Sequence, residues 1–243
     1  MNNPMFRDSI LKEYSGTIDT PMSVSGTVGK LLLLMLIFLT SAAAVFYQFL
    51  LQKFDYVNML TIAGLIISFI LSMIIAFKPK TSPYLSPVYA FAEGALLSGI
   101  SCFFETMFPG IVVQAVSITF AVMFVMAVLY LTGIIKATER FRAAILSATF
   151  AIFIFYLIGF ILMLFNINIP YFSNSYSIGF VILNIAIAII AALNFIIDFD
   201  FIEKGSRSML PSYYEWYGAV SLIITLAWLY IEILKLLSRL RNR

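Results

Sequence analysis

The sequence predicts an all-α integral membrane protein, a bundle of seven transmembrane helices in a single domain. Three observations carry that prediction. Of 243 residues, 62% are hydrophobic and 11% charged, with a mean hydropathy of +1.02, whereas a soluble domain is about 45–50% apolar and about 25% charged. Crossing a hydrocarbon core of about 30 Å takes roughly 20 apolar helical residues, and runs of that length recur seven times. The intervening segments are all short, so the length leaves room for one domain.

The first run covers 31–51 and follows a polar segment, 1–29, with Pro4, Gly16, Pro21 and Gly26. That polar lead argues against a removable signal peptide, whose apolar stretch starts earlier. The second run, 57–77, ends at Lys78-Pro-Lys-Thr-Ser-Pro83, and the third, 84–108, at Pro109-Gly110. The fourth, 111–135, meets the charged stretch Lys136–Arg142; the fifth, 143–166, meets Asn166–Tyr176 with Pro170. The sixth, 177–197, leads to Gly205–Pro211, and the seventh, 213–237, to a basic tail. Proline, glycine and charge clusters are the expected breaks between helices. The divisions are a polar cytoplasmic segment 1–29, a membrane domain 30–238 and a tail 239–243.

Charge sets the orientation. Arg7, Lys12 and Lys30 precede the first run; Lys78 and Lys80, then Lys136, Arg140 and Arg142, then Lys204 and Arg207 fill every second loop. The alternate loops hold only Lys53. The positive-inside rule therefore puts the N-terminus and those basic loops in the cytoplasm. Seven spans then place the tail outside, although Lys235, Arg239, Arg241 and Arg243 favour the inside. Either the seventh segment crosses against its charges or it re-enters. Earlier loops dominate orientation, so a full seventh span is the expectation. A tail lying inside can bind anionic headgroups; a plain stop signal is the simpler reading. The net charge of +3 sits in loops and tail, so the partner it implies is the lipid bilayer, and nucleic acid is not needed to explain it.

Absences narrow the chemistry. Histidine is missing, so a pH response near neutrality falls to a carboxylate or a lysine in a perturbing environment. A single cysteine, Cys102, excludes an internal disulfide and a cysteine metal cluster. No lysine sits in mid-helix to carry a retinal, no Gly-rich phosphate loop occurs, and the serines of the helical runs have no general base beside them. The reading is not an enzyme, with no cofactor beyond a transient Ca²⁺.

The candidate functional residues are acids near membrane depth, where an ionisable group is costly and marks function by default. Asp198 and Asp200 lie where the sixth run meets its loop. On a continuous helix, residues two apart point about 200° apart, so one faces the bundle and the other a rim or headgroup. If the helix unwinds, both can offer oxygens to a weak Ca²⁺ site, well short of the six to eight that Ca²⁺ usually takes. The alternative is a helix-end cluster in which Lys204 and Arg207 neutralise Asp198, Asp200 and Glu203. Glu93 sits mid-membrane beside Gly94, Ser98 and Gly99, either lining an ion path or protonated and hydrogen-bonded to a neighbour. Glu215 stands at the entrance of the seventh segment among Tyr213, Tyr214, Trp216 and Tyr217. A hairpin centred near Ser208 puts the two aspartates at the depth of Glu215 to Gly218. Glu232, seventeen residues on and so about 25 Å away, reads as an outer-end residue that snorkels or pairs with Lys235 or Arg239. Asn184 and Asn194 read as polar glue between helices or as pore lining.

Four motifs in this order resemble the Bax inhibitor-1 (transmembrane Bax inhibitor motif) family, in a divergent bacterial YccA-like branch. They are the small-residue third helix with Glu93-Gly94, Leu129-Tyr-Leu-Thr132 before the charged loop, the aspartate closing helix six before Ile202-Glu-Lys204, and the helix from Glu215 and Ala219 to Leu236-Leu-Ser-Arg239. The resemblance spans roughly residues 30 to 240. It implies a seven-helix fold with the last helix central, a pH-sensitive calcium leak, and a bacterial inner (plasma) membrane. It also implies that an aspartate ending helix six pairs with one inside helix seven. The first is Asp198, with Asp200 as the alternative; aligning Glu215 and Ala219 places the second at Thr225. Thr225 offers a hydroxyl and no charge, so it cannot share a proton with Asp198. Two functions follow as expectations. One is a leak for Ca²⁺ or H⁺ gated at Asp198 or Asp200, with Glu93 lining the path. The other is a non-transporting partner or regulator of a membrane protease or stress response.

Overall fold

The computed structural model describes residues 20–165, 167 and 178–241. The first nineteen residues, the loop residues Asn166 and Pro170, and Arg243 lie outside the described residues. The described chain forms seven long helices: α1 (Val24–Leu50), α2 (Phe54–Phe77), α3 (Ser82–Met107), α4 (Ile111–Leu131), α5 (Glu139–Leu164), α6 (Ile178–Arg207) and α7 (Tyr213–Arg241). All seven are long and apolar enough to cross a membrane, as the seven runs predict.

Three of the helix ends that outrun the apolar runs do so for a reason distant in sequence. Helix α1 begins at Val24, with Ser23 as its N-cap accepting from the Gly26 N–H at 2.9 Å. Its polar first turns are held by Glu215, which accepts from the Ser23 backbone and hydroxyl at 2.7 and 3.0 Å and pairs with Lys30. Helix α6 continues past residue 197 to Arg207, supported by the i,i+4 pairs Asp200–Lys204 (3.0 Å) and Glu203–Arg207 (2.5 Å). Lys204 and Arg207 also suit the negative end of its macrodipole. Helix α7 runs unbroken to Arg241, so the seventh segment does not re-enter. Its arginines find carbonyl partners: Arg239 donates to Phe180 O, and Arg241 to Pro109 O and the Gln114 side chain, each at 2.9 Å. The start of α1, by contrast, docks on the α6–α7 loop through Met22 N–H to Leu210 O at 2.6 Å. The two ends of the described chain therefore lie at opposite ends of the bundle.

Helix α7 occupies the centre, packed against α1, α3, α4 and α6. In its most apolar stretch 61% of the residues are buried, against 17% in α2 and in α5. One side of α7 (Ala219, Val220, Ile223) meets Leu34, Ile75, Tyr89 and Ala90. The other (Leu226, Leu229, Ile233) meets Leu97, Ile111, Ala115, Ala191 and Phe195. The outer shell is apolar too, with Phe69 and Ile70 on α2 and Phe150 and Phe153 on α5 exposed, as expected where lipid is the solvent.

Between helices in lipid, burial of apolar surface supplies little drive, so close backbone approach through small residues has to hold them. Ser41 donates to Phe91 O at 2.7 Å and Ser98 to Ala42 O at 2.8 Å, stitching α1 to α3. A Cβ on Gly94 would strike the Phe38 carbonyl. That obstacle is backbone and cannot swing aside, so Gly94→Ala is expected to cost about 1–3 kcal/mol, the usual range for overpacking. Gly29, exposed on α1 with nothing near its Cβ position, is the control. Gly29→Ala should be neutral or slightly stabilising, because alanine is the better helix former. Thermal unfolding of both variants in one detergent checks the contrast.

Candidate functional site

Helices α6 and α7 form an antiparallel hairpin whose turn lies near residue 210, since α6 stays helical to Arg207 and α7 starts at Tyr213. A Cβ on Gly218 would lie 3.0 Å from Ile202. Asp198, one turn earlier on α6, therefore meets α7 beyond Gly218. The register centred on Ser208, which set Asp198 against Glu215 to Gly218, is thus corrected by about one turn. Ser221 and Thr225 stand four residues apart and present both hydroxyls on one face of α7. Ser221 donates to Asp198 Oδ1 at 2.5 Å and Thr225 to Oδ2 at 2.6 Å. Asp198 is partly buried, and no lysine or arginine among the described residues forms an ion pair with it. Thr225 thus faces the aspartate that the alignment set opposite it.

Asp200 points elsewhere. The helix is continuous here, so the two carboxylates diverge as their spacing dictates. Asp200 is not a lipid-facing rim charge: it is 7% exposed, covered by α5, and paired with Arg142 and Lys204. Glu203, one turn on, takes Tyr130 OH and Arg207. The helix-end cluster reading therefore describes Asp200 and Glu203, while Asp198 stands apart from it.

The remaining acids are separate from both. Glu93 is buried on α3 with its carboxylate against Ser68 of α2 and Tyr89 of its own helix. Ser68 and Tyr89 are distinct from the Ser221 and Thr225 that hold Asp198. Glu215 fastens the start of α1, and a Cβ on Gly26 would strike its carboxylate. Glu232 is the larger correction. It does not snorkel, being 1% exposed. Lys235 is its partner, as spacing suggested, at 2.6 Å. Tyr156 of α5 donates to Oε1 at 2.9 Å and Asn184 of α6 to Oε2 at 2.8 Å. Ser221, Arg142 and Tyr156 went unnamed as site residues in the sequence. Ser221 was legible four positions before Thr225, and Arg142 and Tyr156 were legible as two members of a seven-residue spacing on α5.

No group of three or more acidic or cysteine side chains gathers as a metal site among the described residues. An apolar cavity of about 390 Å³ opens between α1, α3, α4 and α7, edged by the Tyr230–Ser101 hydroxyl pair at 2.6 Å, and none of the acids lines it. What the Asp198 site can do is change the sense of a hydrogen bond. Ionised, the carboxylate accepts both hydroxyls; protonated, one oxygen becomes a donor and one hydroxyl must turn away.

Neither the curated proteins nor the solved structures contain a significant match to this sequence. The sequence profile of the family described as Bax inhibitor 1 like matches residues 3–242. The match runs through all seven helices, including the α6–α7 hairpin that carries Asp198. The chain belongs to the Bax inhibitor 1 like family of membrane proteins.

Proposed function

We propose that this protein is a pH-responsive leak for small cations, with Asp198 as its titrating switch. The observation that carries the reading is the clamp of Ser221 and Thr225 on an aspartate that has no cationic partner among the described residues. Gain or loss of one proton there reverses a hydrogen bond between the central helix and its neighbour, and so alters how tightly α6 and α7 close. The donor set suits a proton better than Ca²⁺. One carboxylate and two hydroxyls fall short of the six to eight oxygens Ca²⁺ takes, and Asp200 is engaged with Arg142 and Lys204. Ca²⁺ then has no resident site at Asp198. The charge bias supports a cytoplasmic N-terminus, and the resemblance a bacterial inner membrane.

The test is flux in proteoliposomes. Wild-type protein is expected to carry protons at a rate that changes between about pH 5 and 8, the range a switch needs near neutrality. Asp198→Asn, isosteric and unable to titrate, should flatten that profile with folding intact. If Asp198→Asn and Asp200→Asn both leave the flux and its pH profile unchanged, the leak reading fails. The same vesicles loaded with a calcium dye separate the two ions.

A second reading has one specific support: Thr225 removes the family's second acid. On that reading the chain is a non-transporting partner or regulator of a membrane protease or stress response. A wild-type protein that carries no cation yet crosslinks reproducibly to one membrane protein supports it.

A further inference from the structure

Helix α5 carries a polar row on its inner face. Its inner row reads Arg142, Ile145, Thr149, Ile152, Tyr156, Gly159, alternating three and four residues, with every first position polar. Its outer face (Leu146, Phe150, Phe153, Phe160) is apolar and exposed. Residues seven apart nearly eclipse on a helix, so Arg142, Thr149 and Tyr156 form one polar stripe. Over fourteen residues the stripe covers about 21 Å, most of a hydrocarbon core of about 30 Å.

Each member meets a polar group opposite. Arg142 pairs with Asp200, itself joined by Lys204. Thr149 accepts from the Asn194 amide at 2.9 Å. Tyr156 donates to Glu232 and accepts from Lys235 at 2.9 Å, and Asn184 closes the same cluster. Among the described residues, two buried side-chain polar atoms lack a hydrogen-bond partner, Arg142 Nε and Asn184 Oδ1. Both belong to this seam, one at each end. A buried donor and a buried acceptor of this kind are the partners that internal water satisfies.

We propose that the seam between α5 and α6–α7 is a water-filled proton path, open when α5 eases away from α6. Its role in transport rests on the leak reading; its hydration does not. The rungs lie about 10 Å apart, seven residues at 1.5 Å, with Ile145 and Ile152 between them, and about three waters at hydrogen-bond spacing span each gap once α5 has carried those side chains aside. Helix α5 packs chiefly on α6 and buries little apolar surface, so little packing opposes that opening. A hydronium at one end gives its proton to the seam carboxylate there. One O–H bond breaks in hydronium and one forms on the carboxylate. That proton is passed along the seam waters, one O–H bond breaking as the next forms, to the carboxylate at the far rung, which then releases it to water on the other side; both carboxylates return to their starting state and no electron changes hands. A divalent cation is excluded by charge. Asp200 faces Arg142 and Lys204, and Glu232 faces Lys235, with Tyr156 and Asn184 the other groups upon it, so neither end offers net negative charge.

The test puts single cysteines into the full chain after Cys102→Ser. Thr149→Cys samples the seam; Phe150→Cys and Phe153→Cys sample the lipid face. A water-soluble methanethiosulfonate reacts with the thiolate, which needs water to form. In proteoliposomes Thr149→Cys is therefore expected to react at least about tenfold faster than either control, and equally slow reaction at all three positions overturns the proposal. Proton flux is read alongside. Thr149→Val with Asn194→Leu removes the middle rung and should lower flux about tenfold, as expected for loss of a polar group from a proton route, while Thr149→Ser retains it and both keep the wild-type unfolding temperature. A wild-type flux that responds to Asp198→Asn but not to the seam variants overturns the seam and leaves the leak reading standing. A wild-type chain that carries no protons overturns both.

Discussion

Thr225→Asp is expected to make the α6–α7 hairpin strongly pH-dependent in stability. The substitution sets a second carboxylate where a hydroxyl now lies 2.6 Å from Asp198 Oδ2. Two unit charges about 4 Å apart repel by about 4 kcal/mol at an effective dielectric of about 20. The pair avoids that by keeping one proton between its oxygens, so it titrates as a unit in two steps. The sign follows. At low pH the shared proton holds the helices together and the variant is close to wild type. As pH rises through the second ionisation the repulsion appears and the variant loses stability relative to wild type. Thr225→Asn, of the same size without the charge, should track wild type throughout. Thermal unfolding against pH for the three proteins reads this directly, and parallel curves for Thr225→Asp and Thr225→Asn would sink it. In flux, the variant should show two apparent titration steps where wild type shows one.

The seven helices were legible because apolar run length reports bilayer thickness, a constraint read within each segment. Helix ends were less so. Val24–Lys30 is helical because Glu215, far along the chain, holds it, and α6 outruns its apolar residues because Arg142 and Lys204 take up Asp200. The facing of Asp198 and Thr225 came from the family alignment; helical arithmetic alone separated Asp198 from Asp200 and left open which faced inward. Glu232 was placed at the right end of α7 by counting 1.5 Å per residue, but depth was taken for exposure. Burial there depends on Tyr156 and Asn184, which stand 76 and 48 residues away in the chain. The polar stripe of α5 is visible as a seven-residue spacing, whereas its partners on α6 follow no matching interval: Asp200, Asn194 and Asn184 are six and then ten residues apart.

Lys235→Met should be among the most destabilising single changes in the chain, and a second substitution should largely reverse it. Glu232 is 1% exposed and the Lys235 ammonium lies 2.6 Å from its carboxylate. Removing one partner of such a pair leaves an uncompensated buried charge and costs about 3–5 kcal/mol, whereas replacing both partners is often close to neutral. Glu232→Gln supplies the compensation. Its amide oxygen still accepts from Tyr156, and its amide N–H can donate to Asn184 Oδ1, which has no partner among the described residues, once the Asn184 amide turns over. A double-mutant cycle by chemical unfolding in detergent should therefore give a favourable coupling of at least about 2 kcal/mol for the pair of changes, within the range seen for contacting residues. The deficit of Lys235→Met alone should shrink as pH falls, because protonation removes the unpaired charge that causes it. A deficit independent of pH, or a double variant as unstable as the single, would mean that lost packing of the lysine stem rather than the stranded carboxylate sets the cost.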